Sequence, residues 1–270
     1  MEKLLSIFLF VLCSSCQDGA SKSVSSANKQ LIQRDSLSYS YKTFKNVSQY
    51  FVENEEQIDS AYYHISYPYF EDTALNRAIH PYIMIDGDDS PELAAESFIL
   101  GYDEFVEENS TNTINFPWYK NVISKVWTNS PLVLTLATAV DEYTGGAHGN
   151  HYTLISNIDI TNKKKIEIKD IIEENKIADF TKIAENRFRK QENLSQSSSL
   201  EKDFFFENGI FAINDNFGLT KENLVIYYNE YEIRPYADGP TLLEIPYTDF
   251  ENILSPAGQK YVNSIKQSLN

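Results

Sequence analysis

Cysteine is nearly absent from this 270-residue sequence. The chain has two cysteines, Cys13 and Cys16, and both lie at the end of its first apolar segment. If the first segment is an export signal, its removal discards Cys13, and Cys16 becomes lipidated. The folded body would then carry no free thiol. A disulfide framework, a catalytic cysteine and a cysteine-ligated metal site are then excluded. About 250 residues are enough to stabilise one large or two small domains through a hydrophobic core.

Basic residues are also scarce. The chain has 23 Lys and Arg against 39 Asp and Glu, which gives a formal net charge of −16 at pH 7. Nucleic-acid binding is driven by contacts of Lys and Arg with phosphates, so this balance argues against a nucleic-acid partner. An acidic surface steers basic partners toward a protein. Solubility of an exported protein is the simpler explanation of the same charge.

Catalytic motifs are missing too. The sequence contains neither a Gly-x-Ser-x-Gly nucleophile motif nor a phosphate-binding glycine loop. The acidic pairs Glu107-Glu108 and Glu173-Glu174 are typical of solvated helix ends rather than of a glycosidase carboxylate pair. We therefore predict no catalytic residue, no cofactor and no metal ligand, and we expect a binding protein more than an enzyme.

The first segment has the form of an export signal. Met1-Glu2-Lys3 precedes an apolar run from Leu4 to Leu12, and about nine residues are too few for a membrane-spanning helix, which needs about 20. Ser14-Ser15 stand directly before Cys16, an arrangement typical of a lipoprotein signal. We predict cleavage after residue 15 and lipidation of Cys16, with an ordinary cleaved signal as the alternative. The protein would then lie in the bacterial cell envelope, periplasmic or at the outer membrane, and would contact the membrane through its lipid only.

Hydrophobic periodicity organises the rest of the chain. Residues 16–37 are polar and Ser-rich, as in a flexible tether. Beyond them, runs of strands interrupted by single helices predict an α+β fold of mainly antiparallel sheets with a few packed helices. We expect two intimately associated subdomains, residues 38–115 and residues 116–270. The helix that starts at Thr73 should end or kink at His80, because Pro81 follows.

The stretch from Asp141 to Ile172 is the centre of the pattern. A turn at Gly145-Gly146 follows a strand, and glycines permit positive φ there. Alternation then predicts a strand over 152–160, a turn at 161–163 and a second strand ending at Asp170.

His148 and His151 follow this turn, close in sequence to Asp141 and Glu142. The four side chains suggest a metal site or an acid–base pair, but the spacing fixes no third ligand and the glycines argue against a helix. A structural role, with His148 hydrogen-bonded to the loop, is the simpler interpretation. Tyr143, Gly145, Gly146, His148 and His151 are the first group of candidate binding residues.

The second candidate group is an aromatic segment near the C-terminus. Tyr228, Tyr231 and Tyr236, with Arg234, are residue types that anchor interfaces or stack on sugars. Tyr247 lies just beyond them. The alternative is that these aromatic residues simply cover a small core.

Three blocks of sequence carry a resemblance to a known family. The first is Tyr143-Thr144-Gly145-Gly146-Ala147-His148 with the strands that follow. The second is the aromatic stretch from Leu224 to Phe250, with its Tyr-x-Ile-x-Pro-Tyr loop and Ile-Pro-Tyr strand. The third and weakest is the stretch from Ile65 to Ile79, a strand ending in Tyr-Pro before a helix with Leu-Asn. Over most of residues 38–255 the chain resembles the PdaC/RsiV-like family of exported bacterial domains, in which a C-terminal domain of unknown function follows a companion N-terminal domain.

This resemblance implies an α+β fold and two known roles: binding of lysozyme, and accessory function beside a carbohydrate deacetylase. The sequence shows neither a sigma-factor-binding region nor a deacetylase domain, so we carry over neither sigma-factor control nor deacetylase activity. We expect a lipid-anchored envelope protein that binds a basic protein such as lysozyme or a cell-wall glycan. The alternative is an enzyme acting on envelope carbohydrate or peptidoglycan.

Overall fold

The structure is a computed structural model that describes residues 32–34, 37–53, 58–109 and 116–268. The signal segment 1–15, Cys16 and nearly all of the tether lie outside the described residues. The expectations of export and lipidation therefore stay predictions.

The described residues form ten strands in two sheets. The large sheet has the order β1-β2-β3-β4-β5-β6-β7 and the small sheet the order β10-β9-β8. Neighbouring strands are antiparallel, except that β3 and β4 are parallel. The strands are β1 (Ile32–Arg34), β2 (Leu37–Glu53), β3 (Ile58–Phe70), β4 (Tyr119–Asn129), β5 (Val133–Tyr143), β6 (Asn150–Asp159), β7 (Lys164–Lys165), β8 (Phe217–Leu219), β9 (Asn223–Tyr228) and β10 (Thr241–Pro246).

Two helices have ends that the sequence marks with a cap or a proline. Ser90 accepts a hydrogen bond from the Leu93 backbone N–H, and Pro91 takes the first helical position of the longest helix. Pro81 lies in a 3-10 turn that ends the first helix at Ile79, as the sequence predicts. The helices are α1 (Thr73–Ile79), α2 (Pro91–Glu108), α3 (Ile168–Ile171), α4 (Ile177–Gln191) and α5 (Pro256–Gln267). In the described ranges, no helix combines the length and apolarity needed to cross a membrane.

Two hydrophobic cores hold these elements together. One lies between α1, α2 and the inner face of the large sheet, and it includes Ile65, Leu75 and Leu136. The other joins α4, α5 and the small sheet through Phe188 and other fully buried apolar side chains. Each such side chain contributes about 1.5–3 kcal/mol by burial. The predicted α+β fold with mainly antiparallel sheets is confirmed.

The strand predicted to end at Asp170 is wrong beyond Lys165. β7 has only two residues, and the chain then turns into α3. The Asp170 carboxylate accepts a hydrogen bond from the Glu167 backbone N–H at 2.8 Å, and this capping interaction starts the helix. Ile166 and Ile168 both pack against the second core, so their alternation reflects burial of a turn and not a strand.

The large sheet continues across residue 115, where we expected a subdomain boundary. β3 and β4 lie on either side of that position and pair through five residues, from Tyr62–Tyr119 to Ser66–Ile123. The backbone pairing of β3 with β4 therefore joins residues 38–115 to residues 116–270 within one sheet.

The small sheet covers only half of the outer face of β4, β5 and β6. Thr128 and Thr135 both donate hydrogen bonds to the Leu219 carbonyl, at 2.6 and 3.1 Å. A Cβ at Gly218 would lie 3.1–3.2 Å from Ile155 and Trp127, so β8 rests directly on the sheet. We call the outward-facing residues of this region, within 126–128, 133–137 and 155–159, the covered half. The outward-facing residues of the rest, within 119–123, 139–143 and 151–153 and continuing onto β3, are the open half.

Candidate functional site

A row of polar side chains crosses the open half. The register pairs His64 on β3 with Asn121 on β4, then Asp141 on β5 and His151 on β6. Paired residues share a face of the sheet. His64 Nδ1 lies 2.7 Å from Asn121 Oδ1, and His151 Nδ1 lies 2.9 Å from Asp141 Oδ1. The row thus consists of one hydrogen-bonded couple, His64 with Asn121, beside one ion-pair contact, His151 with Asp141.

A row of tyrosines runs beside it. Tyr62, Tyr119 and Tyr143 are paired across β3, β4 and β5, with ring centroids 5.9 and 6.1 Å apart and rings stacked within 30°. Because the ring faces meet one another, the row offers ring edges and hydroxyl groups to a ligand. Burial raises the pKa of Tyr119, and so do the charge of the Asp141 carboxylate and its hydrogen bond with the Tyr119 hydroxyl. That bond joins the two rows.

The glycine turn brings His148 over one end of these rows. Gly145 and Gly146 have φ of 113° and 97°, which side chains rarely adopt, so glycine is required there. Tyr143 closes the turn by donating its hydroxyl hydrogen to the Gly146 carbonyl at 3.0 Å. His148 is exposed at the tip, with Nδ1 2.8 Å from the Gly149 carbonyl oxygen. The expected hydrogen bond of His148 to its loop is present.

The second candidate segment meets the glycine turn. The Tyr236 ring stacks on His148, with centroids 4.4 Å apart and planes within 18°. Tyr231 lies 5.5 Å from Tyr236, and its hydroxyl is 3.3 Å from His148 Nε2. His151 lies 6.3 Å from Tyr236. The structure therefore brings both predicted groups, distant in sequence, into one cluster.

The segment 229–240 is fastened to the free edge of β6. The Asn229 side chain accepts a hydrogen bond from the Thr153 backbone N–H at 2.7 Å. Asn216 acts in the same way two residues further on, accepting from Ile155 N–H at 2.7 Å and donating to the Thr153 carbonyl at 2.8 Å. These amides replace a neighbouring strand and hold the aromatic segment against the open half.

Two residues of the predicted site lie elsewhere. Tyr228 is fully buried in the second core, where its hydroxyl donates to the Ala212 carbonyl at 2.7 Å and burial raises its pKa. Arg234 turns away from the cluster to pair with Glu192 at 2.8 Å and to lie over Phe204. Tyr247 is also buried. The alternative interpretation, core covering, is therefore the correct one for Tyr228 and Tyr247.

A cavity of about 210 Å³ opens between the open half and the segment 229–240. It is lined by polar groups over a partly apolar floor, and its lining contains neither Lys nor Arg. The Glu230 side chain is half-buried in its wall, and no hydrogen bond or ion pair joins it to the part of the chain that the structure describes. The lining residues are Asn121, Ile123, Ala139, Val140, Asp141, His151, Tyr152, Thr153, Tyr227, Asn229, Glu230 and Pro240.

A buried ion cluster supports the site from the inner face. Lys120 Nζ lies 2.8 Å from Asp86 and 2.9 Å from Glu142. Burial acts to lower the pKa of Lys120, but the hydrogen bonds and charges of both carboxylates outweigh it and raise the pKa overall. Glu142 also accepts a hydrogen bond from the Asn150 side chain at 3.2 Å, across the base of the glycine turn. Lys120 thereby helps to fix the turn that carries His148.

This arrangement suits a polar ligand with a ring-shaped body. Amide, carboxylate and imidazole groups converge on the cavity, and aromatic rings border it. The carboxylate of Asp141 orients His151 through Nδ1 and leaves Nε2 without that partner, which is also how acid–base histidines are held. Within the described ranges, no group of three or more His, Cys, Asp or Glu has an arrangement that would hold a metal ion.

Asn121, Tyr62, Tyr119 and Glu230 belong to the site although sequence reasoning missed them. The pairing of β3 with β4 places Tyr62 beside Tyr119 and His64 beside Asn121. Glu230 reaches the cavity with the segment 229–240. No local pattern reveals a pairing between strands separated by two helices.

Two family models match the chain. Residues 52–151 match the family described as deacetylase PdaC, and residues 169–248 match DUF3298, a family of proteins of unknown function. The chain thus joins a segment similar to PdaC to a segment similar to DUF3298. The resemblance inferred from the sequence is confirmed. The candidate site takes its open half from the first segment and its aromatic residues Tyr231 and Tyr236 from the second.

Solved structures show the same fold. A DUF3298 family member from Bacteroides fragilis NCTC 9343 superposes with a TM-score of 0.69 at 22% identity, over 86% of this chain and 98% of that one. A DUF3298 family protein from Pseudomonas aeruginosa PAO1 gives a TM-score of 0.63 at 20% identity, over 83% and 97%. None of the curated proteins matches the chain.

Proposed function

We propose that this protein is a lipid-anchored protein of the bacterial cell envelope that binds a cell-wall glycan in the cavity of the open half. The observation that carries the proposal is the polar row beside aromatic rings, with Asn121, Asp141 and His151 lining one cavity. Sugars present hydroxyl groups around an apolar ring face. Planar polar side chains satisfy the hydroxyl groups, and aromatic and aliphatic side chains contact the ring.

The open half has room for more than one sugar. The rows continue from β6 across β5 and β4 to β3, where Tyr62 and His64 lie. Lys45 on β2 lies 4.6 Å from the Tyr62 ring. A strand of sugars crossing the sheet would meet hydroxyl and ring-edge groups along the way. A membrane anchor at Cys16, followed by a tether, would let such a domain reach the wall.

Two other functions have one observation each in their favour. The net charge of −16 favours a basic protein partner such as lysozyme. The contact of His151 Nδ1 with the Asp141 carboxylate, at 2.9 Å, favours an enzyme that uses acid–base chemistry on the same carbohydrate.

Binding measurements on the mature chain (residues 17–270) separate these possibilities. We expect saturable binding to purified cell walls and to soluble wall oligosaccharides, measured by sedimentation and calorimetry. Asn121→Ala should weaken binding, whereas Asn263→Ala, on the exposed face of α5, should not.

The glycan proposal fails if both variants bind like the parent chain, or if the parent does not bind. Tight lysozyme binding that survives physiological salt would favour the protein partner, because attraction between exposed charges is screened under those conditions. Turnover of the oligosaccharides that is lost in His151→Ala would favour the enzyme.

A further inference from the structure

We infer that the glycan bound in this cavity carries a free, protonated amino group on its sugar. The inference rests on the proposed glycan binding and names the class of sugar. Three observations support it: the charges that face the cavity, the lack of a partner for the Glu230 carboxylate within the described ranges, and the aromatic rings beside the cavity.

The cavity lining contains two carboxylates and one histidine, but neither Lys nor Arg. The carboxylates are those of Asp141 and Glu230. Asp141 is held by His151 and by the hydroxyl of Tyr119. A sugar carrying a carboxylate would be repelled here, whereas an ammonium group would be attracted.

Glu230 provides the position for the ammonium group. Its side chain is half-buried in the cavity wall, and it has neither a hydrogen bond nor an ion pair within the described ranges. A carboxylate without a partner in the protein can accept hydrogen bonds from a donor on the ligand. A protonated amine supplies that donor together with the opposite charge, and such charge-assisted hydrogen bonds are about twice as strong as neutral ones.

The aromatic rings favour the same ligand. Tyr231, which follows Glu230 directly in the chain, is exposed, whereas the Tyr236 ring is stacked on His148. The face of a tyrosine ring attracts a cation. An acetamido group is uncharged, so it would gain neither the attraction to the carboxylates nor that to the rings.

The test compares two ligands that differ only at nitrogen. Calorimetric titration of the mature chain with a tetrasaccharide of glucosamine and with a tetrasaccharide of N-acetylglucosamine measures the preference directly. We expect the amine form to bind about tenfold more tightly, as a charge-assisted hydrogen bond replaces a neutral one. Tetralysine is the third ligand, because it carries amines without sugar.

Glu230→Gln should remove the preference for the amine and leave the affinity for the N-acetylated ligand unchanged. Glu251→Gln is the matched control, since it removes one negative charge from an exposed position in the second subdomain. Thermal unfolding of each variant confirms that it is folded.

Each outcome decides a different point. Equal or tighter binding of the N-acetylated ligand overturns the inference and leaves glycan binding intact. Binding of neither sugar contradicts the proposed function itself. An equal loss of preference in Glu251→Gln, or tetralysine binding as tight as the amino sugar, shows attraction by overall charge and overturns the inference. A preference that persists in Glu230→Gln overturns the assignment of this carboxylate.

Discussion

The two halves of the outer sheet face use the same kinds of side chain to different ends. In the covered half, Asn157 accepts a hydrogen bond from the Leu219 backbone N–H, has its Oδ1 2.8 Å from Thr135 Oγ1, and donates to the Phe217 carbonyl. In the open half, Asn121 has one such partner, His64, at 2.7 Å. One asparagine fastens two sheets together, and the other stands at the wall of a cavity.

The two halves differ in how far the hydrogen-bonding groups of their side chains are used within the protein. Buried polar groups stabilise a protein only when their hydrogen bonds are satisfied. The covered half meets that condition with the backbone of β8. In the open half the side chains pair with one another, as His151 does with Asp141. Their remaining donor and acceptor atoms face the cavity. We therefore expect substitutions in the covered half to change stability and substitutions in the open half to change binding.

The largest expected effect comes from Asn157→Ala. The variant leaves the backbone of β8 with a buried donor and a buried acceptor unpaired, which costs about 2–4 kcal/mol of unfolding free energy. Asn121→Ala, on the same face, should cost less than about 1 kcal/mol. Urea unfolding measures both. Equal losses in the two variants would erase the distinction between the halves.

Lys120→Met should have an intermediate effect. It leaves Asp86 and Glu142 close together without the cation that is shared between them. Because both carboxylates are partly exposed, we expect a loss of about 1–2 kcal/mol, below the range for a fully buried pair. Glycan binding should weaken as well, since Glu142 helps to hold the glycine turn. Lys125→Met, at an exposed position of β4, is the control, and a similar loss there would contradict this role.

Acid should weaken the covered half through Asp159. Burial acts to raise the pKa of this carboxyl, but hydrogen bonds from Asn162, Tyr261 and the Thr161 backbone outweigh it and lower the pKa overall. A group with a lowered pKa stabilises the folded state above its unfolded value, near pH 3.9, and loses that contribution as pH falls through the folded value. Unfolding free energy should thus fall below about pH 4, and less steeply in Asp159→Asn. If the unfolding free energy of the variant falls as steeply below about pH 4 as that of the parent chain, Asp159 is not the cause.

The smallest stability effect is expected for Tyr231→Gly. Tyr231 has φ of 63°, a conformation that costs a residue with a side chain about 1 kcal/mol. Glycine relieves this strain, but its greater freedom in the unfolded chain costs about 0.5–1 kcal/mol. Stability should therefore change by less than about 0.5 kcal/mol, while loss of the ring weakens ligand binding by about two- to tenfold. Thermal unfolding and calorimetry give the two quantities. A large loss of stability with unchanged affinity would place Tyr231 among the structural residues.

Local patterns predicted the elements of this fold more fully than the site. Ser90 and Pro91 mark the start of α2, and Pro81 marks the end of α1, because caps and prolines act on their own neighbours. Leu224, Ile226 and Tyr228 are alternate residues of β9 and therefore point to the same face. Because that face is apolar, the sequence already indicated that Tyr228 points into the core.

The site escaped prediction in part because its contacts are long-range. The parallel pairing of β3 with β4 creates both rows, and the sequence between them forms two helices of the inner core. The glycine turn and the aromatic segment were each singled out from the sequence. Their meeting, with Tyr236 stacked on His148, depends on how the small sheet lies over the large one.

The most direct test of the account is the map of backbone amide chemical shifts on adding a soluble wall oligosaccharide to the mature chain. We predict changes at residues 119–123, 139–143, 150–153 and 229–240, with saturation at a common dissociation constant. The amides of the covered half, at 133–137 and 155–159, should keep their positions. Changes centred on α2 or on the small sheet, with the open half unaffected, would contradict the claim that the open half is the binding surface.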